Sequence, residues 1–330
     1  MKSWKFHKGK EQGNKKLFTF VDKSSDVYDT SLITLLRISM ALETTDSQAT
    51  VFEAEKLKFD IDGYFSRIGY KGSHDPTFET LKDIHRQHAQ SIPFENLNPF
   101  LRIPVELNIH SLYQKLVLNN RGGYCFEHNL LLMEVLRTIG FTVRGLAARV
   151  LWNTPDGVVT PRGHMLLLVS LDEKHFVADV GFGGLTLTSP LLLTFDVTQQ
   201  TPHEQFKITQ SGDEYLMYAR VQGIWKKVYS FTLQENFLQD YEVASFYLSN
   251  NPKSHFITGL IAALPFEQGR HALRNADFAT HYLNGGHERR TIDSVSELKN
   301  TLQNVFKIVL PNVTHIDEYL GRVIQKEVTK

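Results

Sequence analysis

Cys125 is the single cysteine among 330 residues. A lone cysteine is ordinarily a small buried hydrophobe, so its neighbours decide what it does. They read Arg121-Gly-Gly-Tyr-Cys125-Phe-Glu-His-Asn129. Two glycines precede the cysteine. An apolar-periodic stretch, Phe126 to Ile139, opens directly after it and stops at Gly140. The pattern puts Cys125 at a helix N-terminus, behind a turn that glycine makes cheaply. Unpaired amide groups at such an end favour negative charge. A free thiol ionises near pH ~8.5, and a helix N-terminus with a cationic neighbour lowers this to roughly 3.5–7.5. The resulting thiolate is a nucleophile.

A thiol nucleophile needs a proton partner. The chain has 14 histidines, so finding one proves nothing. His164 stands out by its place: it opens the apolar run Met165–Val169, directly after Pro161-Arg162-Gly163. A side chain at a strand end points into a cleft; the bland reading is a loop histidine at the surface. Asp179 lies in Phe176-Val-Ala-Asp179-Val-Gly-Phe-Gly-Gly184. An aspartate among Val and Ala is costly to bury unless paired. The bland reading is a cap on the glycine turn that follows. With a turn at Asp172-Glu173, an antiparallel ladder sets residue 164 near residue 181, which leaves Asp179 within one side-chain length of His164. Together the three residues make Cys–His–Asp: the carboxylate orients the imidazole, the imidazole takes the thiol proton, and the thiolate attacks a carbonyl carbon.

These residues need elements to hold them. Residues 1–57 are polar and weakly periodic and read as a flexible extension, with a short helix around Ser31–Leu42 and with Met40 as an alternative start of translation. Residues 58–140 read as a helical domain carrying the nucleophile, with helices at Asp62–Gly69, Thr77–Ala89, Leu112–Leu118 and Phe126–Ile139. Residues 141–240 read as a β domain carrying His164 and Asp179. Its strands are Phe141–Trp152, Met165–Leu171, Phe176–Val180, Leu185–Leu193, Phe206–Thr209, Tyr215–Val221 and Ile224–Phe231. Many short antiparallel strands in succession suggest a small barrel. Residues 241–330 mix a helix at Tyr241–Leu248, strands at Phe256–Leu264 and Phe278–Leu283, and helices at Val295–Val305 and His315–Lys326. The fold class expected is α+β and multidomain: a helical bundle, an antiparallel β-barrel and an α/β lid, with the site arranged as in cysteine proteases.

Arg121 to Asn129 resembles the Arg-Gly-Gly-x-Cys-x-Glu-x-Asn signature of arylamine N-acetyltransferases. Pro93-Phe-Glu-Asn-Leu97, Pro161-Arg-Gly-His-Met-Leu-Leu-Leu-Val169, Val177-Ala-Asp-Val-Gly-Phe-Gly-Gly184 and Val243–Phe256 resemble further elements of that family, in the family's order. The resemblance runs from about Tyr64 to Phe256 and weakens after residue 257. It implies the triad Cys125, His164 and Asp179, acetyl-coenzyme A as co-substrate, and ping-pong transfer through an acetyl-cysteine to an arylamine or arylhydrazine. It also implies that Phe182 and Gly183 line the acyl-donor cleft and that Phe256 meets the adenine end. Gly163 departs from the family, which often has a hydroxyl residue there. Glu127 and Asn129 are accounted for by capping and dipole effects in the first turn, and Arg121 by bracing of the glycine turn.

Bulk numbers narrow the rest. Lys plus Arg (36) equals Asp plus Glu (36), which gives no general attraction to nucleic acid or anionic membrane. The longest N-terminal apolar stretch, Leu32 to Leu42, is interrupted by Thr34, Arg37 and Ser39 and is too short to span a bilayer. A cytoplasmic enzyme is expected, without a disulfide or a metal, since no paired-cysteine or His-Glu-x-x-His spacing occurs. Three other readings keep the same triad or fold: an amide synthase using a polyketide thioester, a transglutaminase- or protease-like thiol enzyme, and a ligand-binding protein without activity.

Overall fold

The computed structural model describes residues 59–328. The expected extension at 1–57, with its helix and Met40, lies outside them.

The chain begins with two helices that the sequence caps in the expected manner. Helix α1 (Ile61–Ile68) starts on Asp60, whose carboxylate accepts from the Gly63 amide, and ends on Gly69 at φ 74°. Helix α2 (Phe78–Ser91) starts on Thr77, whose hydroxyl accepts from Thr80 N. A two-residue strand β1 (Phe94–Glu95), a short helix α3 (Leu97–Phe100) and helix α4 (Ile109–Tyr113) follow. The helix expected at 112–118 widens into a π-turn over Gln114–Leu118. Helix α5 (Cys125–Thr138) then opens on the cysteine.

Strands β2 (Thr142–Val150), β3 (His164–Leu171) and β4 (Lys174–Ala178) form the next unit with β5 (Leu191–Leu192), β6 (Gln199–Gln200), β7 (Gln205–Ser211), β8 (Glu214–Val221) and β9 (Ile224–Phe231). All are antiparallel, in the order β5-β4-β3-β2-β9-β8-β7-β6. The sheet curls into a nearly closed barrel. Strand β3 is buried on both faces, which explains its unbroken apolar run. Met165, Leu167 and Val169 join the core of the helical part, while Leu166 and Leu168 join the barrel core with Leu146, Phe206 and Met217. The run expected as a strand over 185–193 pairs only at Leu191–Leu192. Asp172 and Glu173 form the expected turn, both at positive φ.

The last part differs most from expectation. The helix expected at Tyr241–Leu248 is longer, α6 (Leu238–Asn250). The strand expected over 256–264 is instead a helical turn α7 (His255–Thr258), capped by Ser254, followed by β10 (Ile261–Phe266). The cap wins because the Ser254 hydroxyl accepts from the Phe256 amide and starts a turn. Strands β11 (Gly269–Arg274), β12 (Asp277–Tyr282) and β13 (His287–Thr291) complete a meander. Helix α8 (Val295–Asn300) passes into a π-turn at Thr301–Val305, and α9 (Ile316–Val328) ends the described chain. A separate core of Leu260, Leu264, Leu273, Leu298, Leu302 and Leu320 holds this part together. Strand β1 from the helical part forms the edge of this sheet, with Phe94 opposite Ala263 and Glu95 opposite Ala262.

Candidate active site

The site is assembled where α5, the start of β3 and the end of β4 meet. Cys125 is the first residue of α5, and Tyr124 before it is extended, at φ −108° and ψ −173°. The Glu127 carboxylate accepts from the Tyr124 amide at 3.1 Å, so one amide of the helix end is satisfied from within the first turn. Lys115 donates to the other Glu127 oxygen at 2.6 Å. Burial nonetheless pushes the Glu127 carboxyl up, with Lys115 offsetting part of the rise.

The glycine turn in front of Cys125 is constrained by space. A Cβ on Gly122 would stand 1.9 Å from the Pro93 carbonyl oxygen, so only glycine fits. Gly123 bridges to Phe94 of β1, its carbonyl accepting from Glu95 N at 2.8 Å. Arg121 braces the turn as expected: Nε and Nη2 donate to Glu95 Oε1 at 2.9 and 2.7 Å, and Nη2 donates to Asn98 Oδ1 at 3.0 Å. The remaining Glu95 oxygen accepts from the Leu97 amide. Burial raises the Glu95 carboxyl, but Arg121 and Lys115 outweigh it and hold it low.

His164 and Asp179 meet as the hairpin register requires. The ladder runs from Leu171↔Lys174 to Leu167↔Ala178, and beyond its end His164 Nε2 lies 2.7 Å from Asp179 Oδ2. Asp179 is 0% exposed and His164 3%. Burial pulls the His164 imidazole down, but the Asp179 charge, its hydrogen bond and the Cys125 sulfur outweigh it and push it up to about 10. Asp179 mirrors this: burial raises it, and the imidazole prevails and lowers it. The Cys125 thiol also points at the Gly163 carbonyl oxygen, 3.7 Å away. The cysteine is enclosed, at 3% exposure.

The flanking segment also crowds the site. Phe182 stands edge-on to the His164 ring at 5.2 Å, and Tyr229 packs on the same ring at 5.1 Å. Gly183 has φ 80°, and a Cβ on Gly181 would approach Cys125 Cα to 2.7 Å. Phe256 is buried with its ring against Tyr124 and Phe94, and its carbonyl accepts from Asn96 Nδ2. That packing alone accounts for a phenylalanine there.

Two sets of residues were not singled out by sequence. Asn129 is no capping residue. Its Nδ2 donates to Met165 O at 2.8 Å and to Asp179 Oδ1 at 3.1 Å, and its Oδ1 accepts from Val180 N. The signal was its place one turn after Cys125, on the face of α5 turned to β3. The second set is a file of buried histidines. His128 Nε2 lies 3.1 Å from the Pro93 carbonyl, which can only accept, so Nε2 carries the proton. Burial lowers His128 to about 4, so it is neutral and its Nδ1 accepts from His88 Nε2 at 2.9 Å. Burial holds His88 well down too, and its Nδ1 accepts from the Tyr64 hydroxyl at 2.8 Å. Each proton in the file is thereby placed. Among the described residues, no cluster of His, Cys, Asp and Glu could hold a metal ion.

With this geometry in hand, comparison with known proteins is direct. A family model described as N-acetyltransferase matches residues 77–315. The chain is 40% identical over 277 residues to the arylamine N-acetyltransferase of Mycobacterium tuberculosis H37Rv, covering 81% of this chain and 98% of that protein. It is 39% identical over 258 residues to the Escherichia coli K12 arylamine N-acetyltransferase, covering 77% and 91%. The chain belongs to the arylamine N-acetyltransferase family. Its relatives are acyltransferases, and it is an enzyme of that class. Solved arylamine N-acetyltransferases share its fold. The M. tuberculosis structure aligns at TM-score 0.77 with 40% identity, over 80% of this chain and 99% of that one. The Mycobacterium marinum enzyme in complex with CoA aligns at TM-score 0.76 with 36% identity, over 81% and 99%. Among the described residues, no helix is long and apolar enough to cross a membrane.

Proposed function

We propose that this enzyme moves an acetyl group from acetyl-coenzyme A to arylamines and arylhydrazines through an acetyl thioester on Cys125. The reading rests on one observation above the others: the buried His164–Asp179 pair, 2.7 Å apart, with the Cys125 sulfur against the same ring. An imidazole held up to about 10 is an imidazolium at neutral pH. The ring thus carries, beside the sulfur that attacks, the proton that a departing thiolate needs.

In the first half-reaction the Cys125 sulfur attacks the acetyl carbonyl. A new Sγ–C bond forms, the bond from carbon to the coenzyme A sulfur breaks, and His164 gives its proton to the departing thiolate. In the second half-reaction the amine nitrogen attacks the thioester. His164 takes the proton the nitrogen sheds, and the Sγ–C bond breaks to return the thiolate–imidazolium pair. Asp179 keeps the imidazole oriented throughout and stabilises its charged form. Phe182 and Gly183 flank the donor thioester. Following the resemblance, Phe256 meets the adenine end of the donor. The CoA complex of the M. marinum relative supports acetyl-coenzyme A as the donor.

The test is a mass spectrum and a thiol assay. Acetyl-coenzyme A alone should add the mass of one acetyl group to the protein and release one equivalent of free thiol. An arylhydrazine should then discharge it. Cys125→Ala should abolish both. Thiol release without an acetylated enzyme would remove the ping-pong scheme; turnover of glutamine or peptide substrates instead would replace it with the protease-like reading.

A further inference from the structure

Asp179 stands one residue past the hydrogen-bonded ladder, whose last pair is Leu167↔Ala178. No strand neighbour receives its backbone N–H, and the residue is fully buried, so water does not reach it. The amide donates instead to His85 Nε2, 3.1 Å away on α2. A backbone amide can only donate, so Nε2 of His85 holds a lone pair and the ring proton sits on Nδ1. That Nδ1 is buried and has no hydrogen-bond partner among the described residues.

The arrangement is costly. Leaving a buried donor unsatisfied forfeits its hydration for nothing in return. A side chain that merely filled the space between α2 and β4 would be better as leucine. The ring is kept although half of it is orphaned, and the half that is used touches the carboxylate-bearing residue. The other holds on Asp179 all act on its side chain: His164 on Oδ2, and Asn129 and the Gly181 amide on Oδ1. Among the described residues, His85 is the group that accepts from its backbone amide.

We infer that His85 is a positioning residue for the transfer reaction: as a neutral acceptor it anchors the Asp179 main chain, and so sets how squarely the carboxylate meets His164. This rests on the function proposed above and adds a residue to it. The titratable groups facing the ring are Asp179 across the contact and His88 on its own helix. Burial pulls His85 down to about 4, with Asp179 opposing, so the acceptor form holds throughout the working pH range.

The experiment measures the pH dependence of Cys125 alkylation by iodoacetamide, with kcat and KM for acetyl-coenzyme A, in three variants. His85→Leu keeps the bulk and removes the acceptor. His85→Gln puts an amide oxygen where Nε2 was. Leu81→Ala damages the same buried face of α2 and leaves the His85 acceptor in place. His85→Leu should raise the apparent pKa of alkylation by about one unit and, separately, lower kcat about tenfold by misaligning the imidazole, with KM little changed. His85→Gln should restore most of both. Leu81→Ala should lower the melting temperature and leave the alkylation profile in place. If His85→Leu behaves as Leu81→Ala does, the residue only packs and the inference falls. Nitrogen NMR of the unsubstituted protein gives a check that needs no variant to fold. His85 should show a protonated Nδ1 and a bare Nε2, and the opposite tautomer overturns the inference. A parent enzyme that is never acetylated at Cys125 would instead overturn the function; a parent that is acetylated while the His85 variants keep its profile would overturn only this step.

Discussion

The central pairing at the residue scale is legible because hairpin arithmetic is strict. A turn at Asp172-Glu173 fixes every opposite pair along β3 and β4, so one apolar run and its answer suffice to bring His164 to Asp179. What was not legible is who holds the holders. Asn129 and His85 act across elements that no spacing connects: helical spacing sets His85 on the apolar face with Leu81 and Ile84, but it does not show which backbone amide the ring will meet. Asp179→Asn should preserve the fold and cut kcat/KM by about 10³–10⁴-fold, because an amide neither charges against the imidazolium nor fixes its tautomer. Steady-state kinetics beside a circular dichroism spectrum checks this; a fall of less than tenfold would mean that Asp179 serves only the fold.

At the scale of elements, strong periodicity marks an element plainly and mixed signals hide it. Helices α1, α2 and α5 carry caps or glycine stops in sequence, and each is where those signals put it. Strand β11 was missed because Arg270 and Arg274 disguise it, yet Arg270 is buried, paired with Glu204 and bonded to Thr186 O. Strand β13 was missed because it is an exposed edge with no apolar alternation. The turn before α5 is sensitive to a small change. Gly122→Ala would push its methyl against Pro93 O, 1.9 Å from the ideal Cβ. We expect kcat/KM to fall by at least ~10²-fold, as a displacement of about 1 Å at a nucleophile does. Comparing the loss in acetyl transfer with the shift in melting temperature separates this from simple unfolding; a variant equally stable and equally active would show that the turn has room.

For the whole molecule, the buried histidines make stability depend on pH. His85 and His128 stay neutral down to about 4, and burial holds His88 well below its ordinary value as well. In the unfolded chain each takes up a proton near pH ~6.5. Between pH 6.5 and about 4 the unfolded chain therefore binds more protons, and stability falls as acid is added. The His164–Asp179 pair works in the other direction. His164 is raised to about 10, so its contribution is complete below ~6.5 and is lost as pH rises through about 10. Urea melts across this range should show a maximum near neutrality, with an acid limb steeper than carboxylates alone give at pH 5 to 6.5. A flat acid limb would mean that these rings are not buried in solution. The two-residue strand β1 carries a different consequence. It is stitched to Gly123 on one side and to β10 on the other, and its Glu95 grips Arg121. The groups proposed to react all lie between residues 125 and 179, yet the loop presenting the sulfur hangs from a sheet completed by the far end of the chain. A version cut after Thr258 would keep every reacting atom and lose the rail from which the thiol is suspended; its acetylation by acetyl-coenzyme A should be absent even where the barrel still folds.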